Sequence, residues 1–126
     1  MFSFENLKVY QLARQLVKDV YLLQNEFPKE ERFALGDQVR RAAVSITANL
    51  AEGSGRVSPK EQLHFFEISY GSLMESYNQL ILAADLKYIS NDELEGLFPQ
   101  IDTVARMLNG LRSAIIKKLS TITPKR

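Results

Sequence analysis

The chain has no cysteine, so disulfides and thiolate metal sites are excluded, and a reducing compartment is compatible with its composition. Histidine occurs once, at His64. The di-iron sites of helical bundles need a Glu-x-x-His pair on each of two helices and a carboxylate from each of the others. Glu61 stands three residues before His64, but there is no second pair, and Glu61 has a simpler use as a helix cap. An excess of charge is missing too. Sixteen Lys and Arg against 15 Asp and Glu leave a net +1, so nucleic-acid binding would need charge gathered on one face. No apolar run approaches the ~20 residues of a membrane span. Met1-Phe2-Ser3-Phe4-Glu5 lacks the basic segment and apolar run of a secretory signal. A cytoplasmic protein with no membrane partner is expected. Sustained period-two alternation and hairpin dipeptides between apolar runs are also absent, which argues against strands.

What is present is helical periodicity. At 126 residues, 45% apolar and 25% charged, the chain suits one globular domain, 1–126, with a core of its own. The stretch 35–55 organises it. Leu35, Val39, Ala42, Ala43, Ile46 and Leu50 recur by threes and fours as one buried helical face,. Gln38, Arg41, Ser45, Asn49 and Glu52 form a second stripe beside the first, with small residues on and between the two. A lone surface helix would carry Lys and Glu there, so this helix is expected to pack on more than one side, against other helices and other copies of the chain.

The flanking sequence predicts helices over about 5–27, 30–53, 58–88 and 91–119. The first carries Leu7, Tyr10, Ala13, Leu16, Val17, Val20, Leu23 and Phe27 inward, with Glu5 at its positive end and Pro28 as its stop,. Lys29-Glu30-Glu31-Arg32 opens the second, and Gly53-Ser54-Gly55 is expected to close it in the left-handed conformation,. Ser58-Pro59-Lys60-Glu61 predicts an N-cap, a first-turn proline and a capping box for the third,. Leu63, Phe66, Tyr70, Leu73, Tyr77, Leu80 and Ala84 then give three heptads,. Ser90 or Asn91 caps the fourth helix, whose stripe runs from Leu94 and Leu97 through Phe98 and Ile101 to Ile115 and Leu119. Pro99 should kink it, Lys117, Lys118, Lys125 and Arg126 favour its negative end, and fraying is expected beyond Ser120,. The fold class is all-α, an antiparallel up-down-up-down four-helix bundle.

No catalytic constellation accompanies it. Ser45, Ser69 and Ser72 have no glycine elbow and one histidine to serve them,. Gly53-Ser54-Gly55-Arg56 is too short for a phosphate loop and follows a helix rather than a strand,. A non-enzyme with no catalytic residue, cofactor or metal site is expected. Two surface features remain. Ser45, Asn49 and Glu52 have polar counterparts in Ser69, Ser72, Glu75 and Gln79; these are either solvated outer faces or a hydrogen-bond network at a helix or subunit contact. Arg14, Lys18, Arg40, Arg41, Arg56 and Lys60 are candidate nucleic-acid contacts, with Arg106, Arg112 and Lys117 along the last helix. In one copy this is ordinary ion-pair material; repeated around a ring it becomes a positive band.

Several runs carry a resemblance: Phe4-x-x-Leu7-x-x-Tyr10, Phe27-Pro28, Gln38-Val39-Arg40-Arg41-Ala42-Ala43-x-Ser45-Ile46-x-Ala48-Asn49-Leu50-Ala51-Glu52-Gly53 and Gly71-Ser72-Leu73-x-Glu75. Together they resemble the four-helix-bundle proteins encoded in intervening sequences of bacterial 23S ribosomal RNA genes, over nearly the whole chain. The resemblance implies a cytoplasmic homo-oligomeric ring, commonly a homopentamer, without established enzymatic activity. The family is also similar to the accessory protein of diversity-generating retroelements, a pentameric bundle that binds nucleic acid and reverse transcriptase. Structured RNA or DNA is therefore the leading expected partner, and a protein-interaction scaffold the alternative.

Overall fold

Apolar residues recurring every three or four positions give each helix one side that water disfavours, and four such sides close on a common core. The computed structural model describes residues 1–122. Its helices are α1 (Lys8–Gln24), α2 (Leu35–Ser54), α3 (Pro59–Asp85) and α4 (Asn91–Ile122), with short 3-10 turns at Ser3–Asn6 and Lys29–Glu31. The described residues include no strand. α2 packs on both α1 and α3, α3 on α4, and α4 closes back on α1. Contacts across the α2–α3 and α3–α4 boundaries run in opposite order. Gln24 meets Arg40 across α1 and α2; Ser45 meets Ser72, and Gly53 meets Phe66, across α2 and α3; Tyr77 meets Phe98, and Tyr70 meets Arg112, across α3 and α4. Leu16, Val20, Val39, Ile46, Leu50, Leu73, Leu80, Val104 and Leu108 are fully buried. Among the described residues, no helix is long and apolar enough to cross a membrane.

The helix ends depart from expectation in informative ways. Residues 5–7 do not belong to the first helix: Leu7 is extended (φ −68°, ψ 126°), which detaches the 3-10 turn from α1. That turn has its own acid cap, since the Phe2 backbone N–H donates to Glu5 Oε2 at 2.7 Å. α1 stops at Gln24, three residues before Phe27, whose conformation Pro28 restricts,. Phe27 nonetheless buries its ring, 5.8 Å from Tyr88. Lys29–Glu31 form a separate turn instead of opening α2. Glu31 reaches forward from it to accept the Leu35 N–H at 3.3 Å, serving a free donor of the first turn of α2,.

The glycine stop is also corrected. Gly53 is helical, Gly55 has φ −82°, and no glycine adopts positive φ among the described residues. The left-handed residue is Lys87 (φ 64°). The Lys87 N–H donates to the Ala84 carbonyl and the Tyr88 N–H to the Ala83 carbonyl, the paired bonds that close a helix in this way. At the start of α3, Ser58 Oγ accepts the Glu61 N–H at 3.4 Å. The Glu61 carboxylate turns towards Arg56, 3.9 Å away, so only half of the expected capping box forms. The full reciprocal pair occurs at α4: Ser90 Oγ accepts the Glu93 N–H at 3.0 Å, and Glu93 Oε1 accepts the Ser90 N–H at 2.9 Å. α4 continues through Pro99, whose carbonyl also accepts from Thr103 Oγ1. Phe98, expected in the core, is 42% exposed and rests on Tyr77. α4 extends through Thr121 and Ile122, and the rest of the tail expected to fray, with Lys125 and Arg126, lies outside the described residues.

Candidate nucleic-acid interface and the α2–α3 seam

Serines and alanines on facing sides let α2 and α3 approach closely. Ser72 Oγ donates to Ser45 Oγ at 2.8 Å, and Asn49 Nδ2 donates to both the carbonyl and Oγ of Ser45 at 2.9 Å. Ser69, fully buried, donates to the Ile46 carbonyl at 2.7 Å, and Ser76 to the Ser72 carbonyl at 2.8 Å. Hydroxyls suit this seam because each can both donate and accept within a short reach. The structure thus brings Ser45, Asn49 and Ser72 together. Glu52 and Glu75 are left out, although the sequence placed them in the same stripes. Glu52 lies one turn before Arg56 and ion-pairs with it at 3.4 Å; Glu75 projects on the exposed side of α3. A carboxylate inside the seam would need to shed water with no cation to meet it.

The six basic candidates fall into three places. Arg14 and Lys18 are exposed on α1, with the Arg14 guanidinium 5.9 Å from the centre of the Tyr10 ring. Arg40 is committed internally. It donates to Gln24 Oε1 at 2.7 Å and to the Arg32 carbonyl at 2.8 Å, with Asp37 3.7 Å away. Its neighbour Arg41 pairs with Asp37 at 2.9 Å but remains 80% exposed. Arg56 stands at the other end of α2, about 24 Å from Arg40 at 1.5 Å per residue. It lies between Glu52 and Glu61 and over the Phe65 ring. Lys60 is exposed beside it. Within one copy the six therefore stand as separate groups, with Arg40 and Arg56 held by intramolecular partners.

Sequence reasoning passed over Lys29, Arg32 and Phe33 as candidates. They lie in the connector between α1 and α2, beside Tyr21 and Asn25. The available signal was Arg32, three positions after Lys29 and followed at once by an aromatic residue, in a segment too short to bury all three. His64 stands edge-on to Phe65, and no three His, Cys, Asp or Glu side chains converge among the described residues.

At the connector end of the bundle, Glu26 keeps its proton against the carboxylate of Glu93. Glu26 is raised above the ordinary carboxyl value, first by its hydrogen bond with Glu93, then by desolvation and repulsion. Glu93 is lowered, first by the Ser90 backbone N–H and then by the bond with Glu26. Their linkage has opposite signs. The Glu26 contribution is present below the unfolded carboxyl value and lost as pH rises through its raised value. The Glu93 contribution is present above the unfolded value and lost as pH falls through its lowered value. Glu26→Gln keeps a donor for Glu93 without a second charge. It should raise the melting temperature at pH ~8 and leave it nearly unchanged at pH ~4, as read by melts across that range.

A family model described as 23S rRNA-intervening sequence protein matches residues 5–110. Among solved structures, the chain is similar to a protein of unknown function from the S23 ribosomal protein family of Bacteroides thetaiotaomicron VPI-5482. The identity is 18% and the TM-score 0.76, over 82% of this chain and 97% of that one. No curated protein matches.

Proposed function

Because the chain belongs to the 23S rRNA-intervening sequence protein family, we propose that it is a non-catalytic bundle that assembles with copies of itself into a ring, of five subunits by family resemblance, and binds structured RNA or DNA. The observation that carries the binding is on the α1 side. Arg14, Lys18, Lys29 and Arg32 line two adjoining hollows with no carboxylate within ion-pair distance among the described residues. Lys8, Lys60, Lys87 and Arg112 also have none but line neither hollow, and Arg40, Arg41, Arg56 and Arg106 are paired. Unpaired cations are the ones that can exchange counterions for phosphates, and repetition in a ring multiplies them. Self-assembly is supported by α3. Its outer side exposes Ile68, Met74 and Leu82, and a Cβ added at Gly71 there would meet nothing within its own chain.

The test combines light-scattering mass with filter binding over a salt series. A ring mass that increases with added RNA is expected. Arg14→Gln with Lys18→Gln should weaken retention and reduce the salt slope by about 1.4–1.8, at 0.7–0.9 for each phosphate no longer neutralised. A monomer near 14.4 kDa would overturn the assembly, and no retention of RNA or DNA at low salt would overturn the binding. A partner protein captured regardless of nuclease and salt would instead support the scaffold reading, which the exposed apolar side of α3 also suits.

A further inference from the structure

Two hollows on the α1 side adjoin each other. One, of about 520 Å³, lies between α1 and α2, where Arg14, Lys18 and Leu22 face Val44 and Thr47. The other, of about 490 Å³, lies where the connector folds against the end of α1, and Lys29, Arg32 and Phe33 line it. Tyr21 and Asn25 line both. No carboxylate lines either one. The α1 part alone, from Arg14 to Asn25, extends about 17 Å at 1.5 Å per residue.

The chemistry along this track is specific in two respects. Its cations are divided between two adjoining hollows, which suits a chain of phosphates better than one small anion. Its aromatic groups are offered to solvent: Phe33 is 84% exposed and Tyr21 40% exposed. The Arg32 guanidinium lies over the Phe33 ring, 5.4 Å from its centre, which adds a planar cation at the same place,. Water disfavours so open a phenylalanine, and beyond the Arg32 guanidinium the ring is left open.

We propose that this track holds an unpaired stretch of nucleic acid, its phosphates on Arg14, Lys18, Lys29 and Arg32 and one base stacked on Phe33. It rests on the nucleic-acid reading above and narrows it to a strand whose bases are free. A duplex keeps its bases stacked on one another and offers the ring only its edges and backbone. A single strand offers a π-face at every position, and backbone cations with aromatic platforms are how such strands are held without sequence preference. Asn25, exposed where the hollows join, can bond a base edge. Tyr21 supplies a second ring on the same path.

Fluorescence polarisation with labelled oligomers of about 12 nucleotides tests this on the full chain. The arms are oligo(rU), oligo(dT) and a blunt duplex of equal length, with polyglutamate as competitor. Oligo(rU) and oligo(dT) should bind more tightly than the duplex. Phe33→Ala, a change at an exposed site, should weaken single-strand binding about five- to a hundredfold and leave duplex binding nearly unchanged. Lys29→Gln should lower the single-strand salt slope by about 0.7, while Arg106→Gln on α4 should not. A preference for oligo(rU) would report 2′-hydroxyl contacts; equal binding of both would report phosphates and base faces alone.

Single strands bound equally by the parent and Phe33→Ala would overturn the track and leave the broader reading standing. Tighter duplex binding would do the same. Equal competition by polyglutamate would reduce the surface to a general anion site, and a changed mass for Phe33→Ala would make Phe33 a subunit contact. Either result overturns the proposal. No binding in any arm would remove both readings together.

Discussion

Gly53→Ala is expected to destabilise the bundle by about 1–3 kcal/mol, the usual cost of forcing a methyl group into a packed site. In an open helix the same change would stabilise, because glycine costs roughly 0.5–1 kcal/mol relative to alanine. Gly53 is not open. A Cβ there would lie 2.6 Å from Phe66 Cε1, 2.9 Å from Cδ1 and 3.1 Å from Phe65 Cβ. Phe66 is only 3% exposed, so its ring can yield only towards the hollow it shares with Leu7, Leu111 and Ile115, of about 320 Å³. That escape keeps the cost within the range above and suggests the control. In Phe66→Leu the obstruction is gone, so adding Gly53→Ala should cost less than it does in the parent, a coupling that a double-mutant cycle measures. Gly71→Ala should have the opposite sign, a gain of roughly 0.5–1 kcal/mol in the monomer's own stability. Urea midpoints of these variants decide the matter. A Gly53→Ala protein as stable as its parent would mean that α2 and α3 are less closely set than the structure has them.

The helices were legible because their signal is redundant. The α2 stripe from Leu35 to Leu50 repeats the same spacing through several turns, and every member but Leu35, which is half-buried, is buried. Ser90 with Glu93 carried a complete local cap. Ends were less legible because they depend on tertiary partners. Gly53 looked like a stop for α2, yet its lack of a side chain is used for the approach of Phe66, a residue on another helix. Lys87 takes the left-handed position that sequence rules would give to glycine. The seam was legible in part, since Ser45, Asn49 and Ser72 fall on facing stripes. Glu52 and Glu75 share that periodicity, and period alone does not say which stripe members are small enough to stay inside. The basic surface was the least legible. Adjacent cations such as Arg40 and Arg41 point different ways on a helix, and only coordinates show that one is enclosed while the other is exposed.

That difference gives Arg40→Ala a sharper outcome than a charge count would. Arg40 joins the end of α1, the connector and the start of α2, through Gln24 Oε1, the Arg32 carbonyl and Asp37. The junction is tight: a Cβ on Gly36 would lie 2.8 Å from the Glu31 carbonyl oxygen and 3.0 Å from Gln24 Nε2. Gln24 is buried, so losing the guanidinium leaves its oxygen without its partner. A stranded buried group of this kind costs about 1–3 kcal/mol. Arg40→Lys should recover little, because one ammonium on a flexible stem lacks the planar fork that reaches both acceptors. Gln24→Leu combined with Arg40→Leu should cost less than the sum of the two single changes, since neither polar group is then left alone. Urea unfolding measures these losses, and limited proteolysis of 28–34 should quicken in Arg40→Ala as the connector loosens. Nucleic-acid binding separates the two arginines. Under conditions where each variant is folded, Arg41→Ala should reduce the salt slope if that exposed side chain meets phosphate, and Arg40→Ala should leave it nearly unchanged. A full loss of slope in folded Arg40→Ala, without loss of stability, would mean that its guanidinium leaves Gln24 to meet the ligand.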